Sequence, residues 1–323
     1  MAISMLATRR GMTVGLIVLS MLAALVLQLA DVNPAVSQTA VLTAYQADKD
    51  PGLDPNSSAW KQSVRARVPM TAQGASYPAG GGSIAMVTAR ALHYNGVLYV
   101  KVEWDDSTMD DSTGRVQDFS DAVALEFPAQ SAATVPAVCM GQADAGVNIW
   151  HWRADYQAGV PDVFVAHPNA LVDGYPSDED LFFTARAAGN PMSQSGAVQD
   201  LIAQAFRTID AAPSQEVQGL GVHENGKWSV VFARALAGVD SSRASFANGT
   251  KTDMAFAVWD GSKEERNGQK SVSTFVRLSV SGAAFPDKDR SNAPLFWAVG
   301  LLVGISAIAV GIGWYGYREG KAK

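Results

Sequence analysis

Val138-Cys139-Met140-Gly141 is followed closely by Val147-Asn148-Ile149-Trp150-His151-Trp152-Arg153-Ala154-Asp155. These runs place a thioether, an imidazole and two indoles close together, in a chain with one Cys and four His. Thioether sulfur and imidazole nitrogen both ligate iron, so the set suits one face of a haem pocket better than a zinc site or a hydrolytic triad. Met140 lies between Pro136 and Gly141, on an expected bend beside a strand. Its plainer role is to fill core space, the usual use of Met. Strand alternation sends Trp150 and Trp152 to one face and His151 to the other. The indoles then either wall a porphyrin or belong to a sheet core.

A second cluster runs Phe256-Ala257-Val258-Trp259-Asp260-Gly261, then Glu264-Glu265-Arg266-Asn267-Gly268-Gln269-Lys270-Ser271. A strand ends at Trp259, a polar loop turns at Asn267-Gly268, and a strand restarts near Lys270. A lysine at a strand start is ordinarily a solvated edge charge. A buried one loses its proton readily, and a neutral amine can bind iron. His151 is the rival ligand to Lys270. His93, His167 and His223 have no neighbours of matching chemistry. Asp105-Asp106 with Asp110-Asp111 offer carboxylates for Ca²⁺, or more plainly an acidic loop in solvent. Neither a G-x-S-x-G elbow nor an H-E-x-x-H zinc motif occurs, which argues against a hydrolase.

The chain has 323 residues, 25 Lys+Arg against 31 Asp+Glu, and a pI near 5.2. This mildly acidic balance carries no electrostatic footprint for nucleic acid. A single Cys139 rules out an intrachain disulfide or a multi-cysteine metal site within this chain. There is no C-x-x-C-H, so a haem here is b-type and held without covalent attachment.

Both ends are hydrophobic. Residues 1–37 read as a signal peptide: an apolar run from Met12 to Leu27 behind Arg9-Arg10, then the small residues Ala35-Val36-Ser37. An uncleaved anchor is the alternative. Residues 294–317 read as a transmembrane helix, with Phe296 and Trp297 at one interface and Trp314, Tyr315 and Tyr317 at the other. Arg318, Lys321 and Lys323 mark 318–323 as a cytoplasmic tail. The region 38–290 is then expected on the periplasmic or extracellular side of the cell membrane.

Within that region, alternating segments read as strands at Ser83 to His93, Val97 to Trp104, Asp121 to Phe127, Trp228 to Leu236, Met254 to Trp259 and Ser271 to Val280. Asn95-Gly96, Asn225-Gly226, Asn248-Gly249 and Asn267-Gly268 are turn signals. The pattern predicts a mainly β protein, an antiparallel β-sandwich. One helix is expected where Val198, Leu201, Ile202, Ala205, Phe206 and Ile209 repeat with a 3.6-residue period. Tyr156 to Gly196, rich in Pro, Gly and Asp, reads as a long loop excursion.

The two clusters, taken in order with other stretches, resemble the haem-b-binding gamma subunit family of ethylbenzene dehydrogenase-like molybdoenzymes. That family includes subunits of dimethylsulfide dehydrogenase, selenate and chlorate reductases, and nitrate-reducing or nitrite-oxidising complexes. The other stretches are Gly80-Gly81-Gly82-Ser83, Ala91-Leu92-His93-Tyr94-Asn95-Gly96, Val102-Glu103-Trp104-Asp105-Asp106, Val198-Gln199-Asp200-Leu201 and Gly226-Lys227-Trp228-Ser229-Val230-Val231-Phe232-Ala233-Arg234. The resemblance implies a β-sandwich binding one haem b, with Met140 and Lys270 as axial ligands. It also implies a non-catalytic electron-transfer role beside an iron–sulfur beta subunit and a molybdopterin alpha subunit. Arg153, Arg234 and Arg266 are candidate propionate partners on residue type alone. A C-terminal membrane helix departs from the family's soluble periplasmic members. The competing reading is a haem-free carbohydrate- or ligand-binding sandwich at the cell surface, using exposed platforms among Trp60, Trp104, Trp150, Trp152, Trp228 and Trp259.

Overall fold

Alternating apolar residues separated by Asn-Gly turns fold into strands, because each strand hides one row of side chains and each turn accepts positive φ. The computed structural model describes residues 41–74, 78–113, 115–130, 132–138, 140–158, 196–205 and 207–286. The expected signal segment, transmembrane helix and cytoplasmic tail lie outside the described residues, as do Cys139, His167 and most of the Tyr156–Gly196 excursion. Among the described residues no helix is long and apolar enough to cross a membrane.

The strands are β1 (Val41–Gln46), β2 (Ala66–Pro69), β3 (Thr71–Ala72), β4 (Met86–Tyr94), β5 (Val97–Asp105), β6 (Ala122–Pro128) and β7 (Val147–Arg153), then β8 (Val198–Ala203), β9 (Asp210–Ala211), β10 (Gln218–His223), β11 (Lys227–Ala235), β12 (Lys251–Trp259), β13 (Ser271–Val272) and β14 (Val276–Ala284). A five-residue helix, α1 (Ala154–Ala158), follows β7. The hydrogen-bonded order is β10-β11-β5-β4-β1-β14-β12-β6-β7-β8-β9, with β2 beside β4 and β13 between β12 and β3. Asn95 and Gly96 both take positive φ in the β4–β5 turn, and Asn225 and Gly226 do so between β10 and β11.

β12 switches layers. Lys251 to Met254 pair with β14, whereas Ala255 to Trp259 pair with β6. The layer β10-β11-β5-β4-β1-β14 and the layer β6-β7-β8-β9 then share one buried core. Val100, Val102, Trp104, Val230 and Phe232 come from the first; Leu125, Phe127, Trp150 and Trp152 come from the second. Trp104 meets Trp152 with centroids 6.5 Å apart, and Trp150 meets Phe232 at 6.4 Å.

Three expectations change. The sheet is mixed and not wholly antiparallel, because β1 runs parallel to both β4 and β14. Alternation reports which face is buried and carries no information on strand direction. The helix expected from Val198 to Ile209 is not formed: Val198–Ala203 is β8, antiparallel to β7. Both faces of β8 are covered. Val198 joins the inter-layer core and Asp200 is buried beside it, while Leu201 and Ala203 join a cluster on the outer face. A strand covered on both sides loses its two-residue signature, and here the remaining apolar spacing imitates a helix. The strand expected from Ser271 to Val280 breaks at residues 273–275 into β13 and β14.

Candidate functional site

The outer face of the second layer carries a cavity of about 710 Å³, within the usual size of small-molecule and cofactor sites. Its floor is made of outward-facing positions of β6, β7, β8 and β12: Ala122, Ala124, Ile149, Leu201, Ala255 and Ala257. Ala124 stands in register with Ala257 on one side and His151 on the other. Alanines at alternate positions leave a low, flat, apolar surface, a shape that accepts a planar ring. Strand pairing positions this floor, so its geometry is that of the sheet.

Met140 and Lys270 both line this cavity, from two connections far apart in sequence. Met140 sits in the β6–β7 connection. Its backbone is left-handed, with φ 76°, and Gly141 follows at φ 71°. That conformation is costly for a residue with a Cβ and is held only where surroundings enforce it. The enforcement here is a tight turn, in which Gln142 and Ala145 exchange backbone hydrogen bonds of 3.1 and 2.9 Å. The Glu126 carboxylate also accepts from the Met140 N–H at 3.2 Å.

Lys270 ends the β12–β13 connection. Its N–H donates to the Gly80 carbonyl at 3.1 Å, and its carbonyl accepts from the Gln73 N–H at 3.0 Å. Gly81 packs directly on it: a Cβ at Gly81 would stand 2.2 Å from the Lys270 nitrogen. Gly80, Gly81 and Gly82 all have positive φ; Gly81 braces Lys270, while Gly82 packs on Ala72. The Lys270 ammonium lies 4.7 Å from the Trp259 ring centroid. Trp259 is fixed in turn by its indole N–H, which donates to the Asn267 carbonyl at 3.1 Å.

His151 lines the same cavity, its ring 5.0 Å from that of Trp259. Burial, then the positive charges of Arg153 and Lys270, push its pKa down to about 3. An unfolded histidine titrates near 6.5, so the unfolded chain binds the extra proton between these values. The neutral ring's contribution to stability is therefore full above about pH 6.5 and is lost as pH falls toward 3. An NMR titration should find His151 still neutral at pH 5; half-protonation near pH 6.5 would put the ring in solvent.

Trp150 and Trp152 do not reach the cavity. They face the inter-layer core, each 0% exposed. The Trp150 N–H donates to Asn148 Oδ1 at 3.1 Å, and the Trp152 N–H to Gln157 Oε1 at 2.9 Å. Arg234 also lies in that core, donating to Asn148 Oδ1 and packing over Trp150. It is therefore removed from the propionate candidates. Arg153 and Arg266 do line the cavity, joined by Arg115 and Arg207. Arg153 is already bonded to both oxygens of Asp155, and Arg266 lies over the Phe119 ring. His93 and His223 bond to the backbone carbonyls of Ser281 and Asp106.

The alanine floor and the role of the glycines escaped sequence reasoning. Ala122-x-Ala124 and Ala255-x-Ala257, small residues at alternate strand positions, were the available signal.

A mixed β scaffold thus carries a flat-floored apolar cavity with a left-handed methionine and a braced lysine at its edge. The sequence profile of the ethylbenzene dehydrogenase family matches residues 57–271, and the chain belongs to that family. It is 27% identical over 264 residues to a Haloferax mediterranei protein named as a respiratory nitrate reductase haem subunit, covering 81% of this chain and 80% of that one. It is 26% identical over 225 residues to the chlorate reductase gamma subunit of Ideonella dechloratans, covering 68% and 75%. With the dimethylsulfide dehydrogenase gamma subunit of Rhodovulum sulfidophilum it shares 31% identity over 192 residues, covering 58% and 59%.

Proposed function

We propose that this chain is a haem b electron-transfer subunit of a respiratory oxidoreductase complex, with Met140 and Lys270 as the axial ligands of one haem. The observation that carries this reading is that a single flat-floored cavity is lined by both residues, although different connections bring them there. A haem supplies a one-electron couple, and an axial methionine tends to raise its potential. The chain's own residues do the rest. The alanine floor with Ile149 and Leu201 excludes water. The braced Lys270 backbone fixes where the amine begins. Arg207 and Arg266 offer charge to propionates, whereas Arg115, like Arg153, is already held by a carboxylate, that of Asp118. His151, neutral and packed on Trp259, lines the pocket beside them.

With sulfur and amine both engaged, no coordination position is left for a reactant, so the chemistry belongs to partner subunits. The relatives are named as a haem subunit and as gamma subunits, which supports a place in a multi-subunit complex; the partners in this reading are an iron–sulfur and a molybdenum subunit. In this reading the main domain lies outside the cell membrane, anchored by residues 294–317. The competing surface-binding reading needs exposed aromatic platforms. The six tryptophans on which it relied are all buried, the most exposed being Trp259 at 9%.

Carbon monoxide tests the relay role. Added to the reduced protein, it should leave the spectrum unchanged; rapid formation of a carbonyl adduct would reveal an open iron position and contradict it.

A further inference from the structure

Two of the stretches singled out in the sequence, Trp104-Asp105-Asp106 and Trp259-Asp260-Gly261, carry carboxylates for which a haem site has no use. The fold brings Asp106, at the end of β5, and Asp260, at the end of β12, together with Asp121, just before β6. One oxygen from each lies within 4.8 Å of the others. Asp106 and Asp260 are 6% exposed and Asp121 is 0% exposed. Among the described residues none of the three pairs with a lysine or arginine. Asp105, the neighbour expected to share a solvated loop, is the exposed one and pairs with Lys227.

Three ionised carboxylates buried together carry a large desolvation and repulsion cost, which is met either by a bound cation or by taking up protons. The hydrogen bonds present are all from uncharged donors. Asp121 Oδ1 accepts from the Gly261 N–H at 2.8 Å, and its Oδ2 accepts from the Asp110 N–H at 2.8 Å and the Trp228 indole at 2.9 Å. Asp106 Oδ1 accepts from the N–H and hydroxyl of Thr108, and Asp260 Oδ1 from the Ser262 hydroxyl. Asp106 Oδ2 is buried with no hydrogen-bond partner. The Trp104 indole lies near this carboxylate without closing a hydrogen bond on it. An orphaned anionic oxygen beside two further carboxylates is a ligand set lacking its cation.

We propose that Asp106, Asp121 and Asp260 bind one Ca²⁺ ion. Hard oxygen donors with no nitrogen or sulfur among them suit Ca²⁺, Mg²⁺ or Mn²⁺ and not the softer later transition metals. Two oxygens held about 2.4 Å from one Ca²⁺ stand at most about 4.8 Å apart, and the three carboxylate oxygens lie within that limit of one another. The ion ties the ends of β5 and β12 to the start of β6. Asp121 adjoins Ser120 and Ala122 of the haem cavity, and Asp260 opens the connection that carries Lys270, so the ion braces the same corner of the fold.

The test uses the full-length protein purified in detergent without chelator. Metal analysis should find about one Ca²⁺ per chain. EDTA should lower the Tm by about 5–10 °C, the shift expected for an ion saturating at roughly a hundred times its Kd, and CaCl₂ should restore it. Asp106→Asn should abolish both the bound Ca²⁺ and the EDTA effect. No retained Ca²⁺ and a Tm indifferent to EDTA and to millimolar CaCl₂ would overturn the proposal. So would an Asp106→Asn protein that is more stable than wild type and insensitive to EDTA, since that marks a shared proton. If Asp106→Asn does not fold, the wild-type measurements decide alone. Haem absorbance in the same samples reports separately on the haem reading.

Discussion

Met140→Ala and Lys270→Ala proteins should each bind haem at least about 10–100-fold more weakly than wild type, the loss seen when even an outer partner of a metal ligand is removed. Haem that remains should show an altered reduced spectrum, because one axial field has changed. Lys270→Arg separates ligation from charge. Arginine keeps the positive charge but never gives up its proton in a protein, so it can pair with a propionate and cannot ligate iron. If Lys270 is an iron ligand, Lys270→Arg resembles Lys270→Ala in haem titrations. Wild-type affinity and spectrum in Lys270→Arg would make the residue a propionate partner instead. The Met140 variant has its own control. Its left-handed backbone disfavours any residue with a Cβ, so Met140→Gly removes the sulfur while relieving strain. That variant should fold at least as stably as Met140→Ala and still lose the haem.

The second large effect is expected at Gly81, which makes no side-chain contact of its own. Gly81→Ala would place a methyl group 2.2 Å from the Lys270 nitrogen and 2.6 Å from its Cα. Both are backbone atoms and no rotamer change relieves them. The substitution also puts an alanine at φ 81°, which costs about 1 kcal/mol or more by itself. The connection carrying Lys270 and the Gly80–Gly82 segment must move apart, breaking the bonds from Lys270 to Gly80 and Gln73. We expect a loss of about 3 kcal/mol or more in urea unfolding, the upper part of the range for point substitutions, together with loss of haem from what remains folded. Gly74→Ala is the comparison: a Cβ there meets nothing within 4 Å, so it should leave both properties unchanged. Equal behaviour of the two variants would dismiss the glycine brace.

Much of the strand pattern could be read directly, because β4, β5 and β11 are runs of apolar and β-branched residues flanked by Asn-Gly turns. The opposite orientation of His151 and the tryptophans followed from alternation alone. Met140 and Lys270 were named from a resemblance, and the structure adds that they share a cavity. What failed to show had physical causes. β8 is covered on both faces, so its period was lost. β1 lies parallel to its neighbours, which no side-chain pattern encodes. Arg234 was offered for a propionate by type, yet its guanidinium serves a buried network with Asn148 and Trp150. Asp106 looked like a loop acid, and only its position at the end of β5, facing Asp121 and Asp260, shows that it is buried. Residue type and order cannot report such convergence between distant segments.

One spectrum decides whether the cavity does what is proposed. Full-length protein, purified and if necessary supplied with haemin, is recorded oxidised and then reduced. The account predicts one tightly held, six-coordinate haem b per chain, with sharp α and β bands on reduction. Protein that stays colourless, or that binds haemin only loosely and without those bands, would contradict it.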